Sequence, residues 1–87
     1  MITQVYKRDG TFQNFDVEKI SKAIFKAARA CGGNDEETAR SLANEVVDAL
    51  EKKFGSKIPT VEEIQNCVEK VLIENRHAQV AKSYILY

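Results

Sequence analysis

The sequence predicts a mainly α fold with a small β part: an N-terminal β-hairpin capping a four-helix bundle. Three observations predict it. A β-rich stretch, Val5-Tyr6-Lys7, turns back at Asp9-Gly10 and runs through Thr11-Phe12-Gln13-Asn14-Phe15. Apolar residues then recur at helical spacing in three long segments and a short fourth. Gly, Asn and Pro punctuate the gaps, where helices stop and restart. Eighty-seven residues make one small domain, 1–87, with residues 1–15 as the hairpin lid and 16–87 as the four helices.

The hairpin can close in two ways. A two-residue Asp9-Gly10 loop pairs Arg8 with Thr11, whereas a three-residue Arg8-Asp9-Gly10 loop with left-handed Gly10 pairs Lys7 with Thr11. The choice decides which side chains share a face. The three-residue form is favoured, with Val5, Lys7, Gln13 and Phe15 on one side and Tyr6 and Phe12 on the other.

Asp16 is the expected N-cap of the first helix, with Phe15 and Ile20 as a hydrophobic staple around it. Val17, Ile20, Ile24, Ala27, Ala28 and Cys31 form its apolar stripe, and Gly32-Gly33 ends it. Lys22, Lys26 and Arg29 fall opposite the stripe, a solvated face before a binding patch. The second helix is expected to open with Asn34 as cap and Glu37 completing a capping box. Ala39, Leu42, Ala43, Val46, Val47 and Leu50 give it a buried face, and it stops near Phe54-Gly55. Pro59-Thr60 announces the third helix, with Thr60 and Glu63 as its capping pair and Ile64, Cys67, Val68, Val71 and Leu72 facing inward. A break at Asn75-Arg76-His77 precedes a short fourth helix that packs through Val80, Ala81, Tyr84 and Ile85. Short connections favour antiparallel neighbours.

Composition narrows the function. Hydrophobic residues at 44% and charged residues at 30% describe an ordinary globular domain. No apolar run reaches the roughly 20 residues of a membrane span, and Lys7, Arg8 and Asp9 interrupt any signal-peptide pattern, so a cytoplasmic protein without membrane contact is expected. Thirteen cations balance thirteen anions, without the surplus expected for direct nucleic-acid binding. The balance is uneven, however. Residues 1–30 hold Lys7, Arg8, Lys19, Lys22, Lys26 and Arg29 against Asp9, Asp16 and Glu18. Such a basic end can hold a small anion. Cys31 and Cys67 lack metal-ligand spacing, make no zinc set with the single His77, and read as buried free thiols. Nothing resembles a catalytic constellation.

Lys19 breaks a local rule. It sits in the first turn of a helix, where the positive end of the dipole disfavours a cation. A bound anion would resolve the conflict, with Lys7, Arg8 and free helix N–H groups directed at the same guest. The alternative is a surface pair with Asp16 or Glu18, worth under about 1 kcal/mol. For Lys7 and Arg8 the alternative is an edge strand protected by charge. Neither glycine-rich nucleotide motif, GxxxxGK[ST] or GxGxxG, is present.

Four segments in order, Val5-x-Lys7-Arg8-Asp9-Gly10, Phe15-Asp16-x-x-Lys19-Ile20, Ile64-Gln65-x-x-Val68-Glu69-x-x-Leu72 and Val80-Ala81-Lys82-Ser83-Tyr84-Ile85-Leu86-Tyr87, resemble the ATP-cone. This regulatory domain stands at the N-terminus of many ribonucleotide reductase large subunits and in the zinc-ribbon transcriptional repressor of ribonucleotide reductase genes. The resemblance covers essentially the whole chain. It implies an allosteric module without catalytic activity that binds ATP or dATP between lid and bundle, with Mg2+ accompanying the triphosphate. Its partners would be the catalytic domain of the reductase and other subunits, whose assembly it would control. By position, Lys7, Arg8 and Lys19 would hold phosphates. Val5, Gln13, Phe15, Asp16 and Ile20 would surround adenine and sugar. Gln65 would add a polar phosphate contact, and Thr60 or Val61 another. Gln13 stands where many cones carry an acidic residue, and Gln65 where some aerobic reductases carry histidine. A basic residue that often follows the last helix is absent, the sequence stopping at Tyr87. The ending is most similar to anaerobic, glycyl-radical reductases, of which the chain would be an N-terminal piece. The repressor's nucleotide-sensing core is the alternative parent, although its paired CxxC motifs are absent from this sequence. A plain helical interaction domain with solvated cations is the third reading.

Overall fold

A computed structural model describes residues 2–86, leaving aside the side chains of Ala78 and Leu86; Tyr87 of the terminal motif lies outside the described residues. Strands β1 (Gln4–Tyr6) and β2 (Phe12–Asn14) are followed by helices α1 (Val17–Ala30), α2 (Glu36–Phe54), α3 (Val61–Glu74) and α4 (Ala78–Leu86).

The strands are antiparallel, with Gln4 opposite Asn14, Val5 opposite Gln13 and Tyr6 opposite Phe12. The three-residue loop is therefore the one formed. The Lys7 N–H donates to the Thr11 carbonyl over 2.8 Å, and Gly10 takes φ +86°, which a side chain would resist. Asp9 fixes the turn by accepting from the Thr11 N–H at 3.0 Å and the Thr11 hydroxyl at 2.6 Å. Those two bonds, the hydroxyl's first, hold the Asp9 carboxyl below its ordinary range.

Three of the helix starts carry a side-chain acceptor. Asp16 caps α1, accepting from the Glu18 N–H at 3.0 Å. Thr60 and Glu63 make the full reciprocal box on α3. The cap of α2 is Asp35, not the expected Asn34. Its carboxylate accepts from the N–H groups of Glu37 and Thr38 and from the Thr38 hydroxyl at 2.7 Å, which the residue one position earlier does not reach. A charged acceptor also gains from the helix dipole. At the C-terminus of α3, Arg76 adopts φ 65°, its N–H donating to Ile73 while that of His77 donates to Leu72. This left-handed stop is usually glycine's.

The helices form a closed ring in which α1 packs on α2 and α4, and α3 packs on α2 and α4. Ile24, Leu42, Val46, Leu50, Ile64, Val68, Leu72 and Ala81 fill the centre. Ile2, unassigned by the sequence reading, joins them, because the Thr3 carbonyl accepts the Phe15 N–H and carries the ribbon's pairing down to the bundle. Two expected core positions are corrected. Cys31 is exposed, since it is the C-cap of α1 and lies past the packed turns; its Sγ reaches the Gln79 carbonyl at 3.4 Å. Ile85 is 56% exposed. Cys67 is half-buried, and desolvation raises its thiol pKa. Among the described residues no helix is long and apolar enough to cross a membrane.

Candidate functional site

A cleft of about 210 Å³ lies between the ribbon and the bundle. The ribbon supplies Val5, Gln13, Asn14 and Phe15 as its roof, because strand alternation puts Val5, Gln13 and Phe15 on the bundle side. The first turns of α1 supply Asp16, Lys19, Ile20 and Ala23. Helix α3 supplies Val61, Ile64 and Gln65, and α4 supplies Tyr84. Val5, Phe15 and Ile20 are half-buried against the core, so the cleft has an apolar lining on three sides.

A larger cleft of about 500 Å³ runs along α1 beside it and shares Lys19, Ala23, Gln65 and Tyr84 with it. Lys22, Lys26, Glu69 and Ile85 complete the larger space. Lys19, Lys22 and Lys26 lie at i, i+3 and i+7, one above the next on a helix face. Three ammonium groups therefore share a wall with one carboxylate, Glu69. The small cleft alone is below the roughly 300–1,000 Å³ of a ligand site, whereas its larger neighbour falls within that range. Tyr84 stands at the junction, and burial, followed by the nearby Glu69 charge, raises the pKa of its phenol. It remains a neutral hydrogen-bonding group at neutral pH.

Of the sequence-predicted site residues, Val5, Gln13, Phe15, Asp16, Lys19, Ile20, Val61 and Gln65 line the small cleft. Lys7, Arg8 and Thr60 do not. Lys7 shares the cleft-facing side of the ribbon but lies one alternation beyond Val5 toward the turn, and it is exposed. Arg8 is directed to α3, where its Nε–H donates to Oε1 of Glu62. The three cations are thus not gathered at one point. The Thr60 hydroxyl is committed to capping α3. Asn14, Ala23, Ile64, Tyr84, Lys22 and Lys26 are lining residues that the sequence reading did not assign to the site. The lysine spacing of three and four carried the signal for the last two, but the opposite face of an amphipathic helix is ordinarily only solvated.

Comparison with known proteins agrees with this architecture. A family model described as the ATP cone domain matches residues 3–87. The vitamin B12-dependent ribonucleoside-diphosphate reductase of Thermoplasma acidophilum is 44% identical over 92 residues, covering all of this chain and 12% of that protein. The protein of the same name from Mycobacterium tuberculosis is 40% identical over 84 residues, or 97% of this chain and 12% of its own length. The anaerobic ribonucleoside-triphosphate reductase of Haemophilus influenzae is 35% identical over 83 residues, again 12% of its length. The chain thus spans about one-eighth of these relatives. With a roof-and-bundle cleft in place and a family match that leaves only residues 1 and 2 uncovered, the chain belongs to the ATP cone domain family.

Proposed function

We propose that this domain is an allosteric module that binds ATP or dATP between ribbon and bundle and controls a ribonucleotide reductase by changing how its subunits assemble. One observation carries the reading: two clefts that share Lys19, Ala23, Gln65 and Tyr84 are apolar under the ribbon and cationic along α1. An adenine nucleotide has the same polarity, a flat apolar base at one end and a polyanion at the other. The base and sugar fit among Val5, Phe15, Ile20, Val61 and Ile64, with Gln13 and Asp16 offering polar contacts. The phosphates extend past Lys19 toward Lys22 and Lys26, with Gln65 beside them and Lys7 approaching from above.

Donor chemistry favours a magnesium-loaded triphosphate over a protein-held metal. Asp16 and Glu69 are the carboxylates lining the two spaces, one in each, too few to hold Mg2+ without help from phosphate oxygens. Lysine ammoniums would then neutralise the remaining charge. The parent is a ribonucleotide reductase. The terminal Tyr-Ile-Leu-Tyr motif favours the anaerobic class and the 44% and 40% identities favour the B12-dependent one. The partners are the catalytic portion of that enzyme and its other subunits.

Thermal denaturation with millimolar ATP or dATP, with and without magnesium, tests the reading. A ligand held only by the folded state raises the melting temperature, by about 2.7 kcal/mol of stabilisation at a hundredfold excess over Kd. Melting curves unmoved by either nucleotide would reject it.

A further inference from the structure

Arg8 has a partner that competes with any anion. Its Nε–H donates to Oε1 of Glu62, in the first turn of α3. The two residues are 54 positions apart, so the contact is tertiary and ties the ribbon's turn to the third helix. Glu62 directly follows Val61, a wall residue of the nucleotide cleft. The engaged guanidinium is therefore held, at the surface, one residue along α3 from that wall.

Two properties make this pair exchangeable. The side chains are 80% and 51% exposed, so the pair sits in high dielectric, where an ion pair is weakly held. Glu62 also lies at the positive end of the α3 dipole, so its carboxylate stays stabilised when Arg8 leaves. A phosphate offers the guanidinium two parallel charge-assisted hydrogen bonds, and it carries more charge than a carboxylate.

We propose that Glu62 is a resident competitor for Arg8, holding the guanidinium on α3 until the phosphates of an entering nucleotide take it. This rests on the nucleotide reading above. Exchange has two consequences: Glu62 lowers the apparent affinity, and ligand entry releases one of the ties between ribbon and α3.

Calorimetric titration of the 87-residue chain with Mg-ATP, as wild type, Glu62→Gln, Arg8→Gln and the double variant, tests it. Absence of ATP and dATP binding by the wild type overturns the nucleotide reading and the competitor role with it. Where the wild type binds, Glu62→Gln is expected to tighten binding two- to fivefold, about the worth of an exposed ion pair. Arg8→Gln weakens binding, and in that background Glu62→Gln has no further effect. Unchanged or weaker binding by Glu62→Gln overturns the proposal while leaving the nucleotide reading intact. Equal tightening in both backgrounds also overturns it, because Glu62 would then act only as a nearby negative charge. One readout needs no substitution. The Arg8 Nε–H resonance of the wild type moves on saturation with ATP, and a stationary resonance overturns the exchange.

Discussion

The main-chain N–H of Tyr6 donates to the carbonyl of Pro59 over 2.9 Å, fastening the outer edge of β1 to the segment that leads into α3. Tyr6 also bridges to Thr60 in parallel fashion. The roof of the cleft is thus held at its β1 edge, while β2 has no such attachment among the described residues. Amide exchange measures the difference. The Tyr6 N–H is expected to exchange more slowly than those of Phe12 and Asn14, which the antiparallel pattern turns away from β1. Equal rates would mean the ribbon is free to lift.

Lys19 is the cation shared by both parts of the cleft, so Lys19→Ala should weaken Mg-ATP roughly 10- to 100-fold in calorimetry, the loss of a charged hydrogen bond. The melting temperature of the free domain should not fall, because the helix dipole disfavours a cation in this turn.

Leu50 is wholly buried and Ile73 is 56% exposed. Leu50→Ala is expected to cost about 2–5 kcal/mol in urea unfolding, a large part of the stability of so small a domain. Ile73→Ala should stay within about 0.5 kcal/mol of the wild type.

Arg76 holds a left-handed conformation at the end of α3, with φ 65°. Arg76→Gly relieves the crowding of Cβ against the backbone and should stabilise the domain by about 0.5–1 kcal/mol in the same assay. Loss of stability instead would show that the Arg76 side chain contributes more than its backbone strain removes.

The Asp35 carboxyl titrates below its ordinary value of 3.8, chiefly through the Thr38 hydroxyl and then its N–H. A depressed carboxyl stabilises the fold fully above its unfolded pKa and loses that contribution as pH falls through the folded one. Melting temperatures recorded from pH 5 down to about pH 2 should therefore drop more steeply for the wild type than for Asp35→Asn, which caps without titrating. Parallel curves would remove Asp35 from the acid response.

Much of this molecule is legible in its residues because the decisive interactions are local. Asp9-Gly10 and the facing Thr11 determine the hairpin register, and Thr60 with Glu63 determines where α3 begins. The wall from Phe15 to Ile20 follows from the Asp16 cap, which sets where α1 starts. Long-range effects are not legible in the same way. Nothing in Pro59 announces that its carbonyl will receive Tyr6, and Ile2 is an isolated apolar residue until the ribbon delivers it to the bundle. Arg8 and Lys19 both look like anion contacts in one dimension, yet a carboxylate 54 residues away holds one of them elsewhere. Asn34 and Asp35 are adjacent residues with similar capping chemistry, and only the reach to Thr38 separates them.

The ring of four helices dictates an order of events during synthesis. Helix α1 leaves the ribosome early, but one of its two helix neighbours is α4, the last of the four to be made. Until Ala81 emerges to seat in the centre, the apolar side of α1 around Ile24 stays partly open to water. The nascent chain must therefore wait for its fourth helix before the cleft under the ribbon, one of whose lining residues, Tyr84, lies on that helix, can take shape.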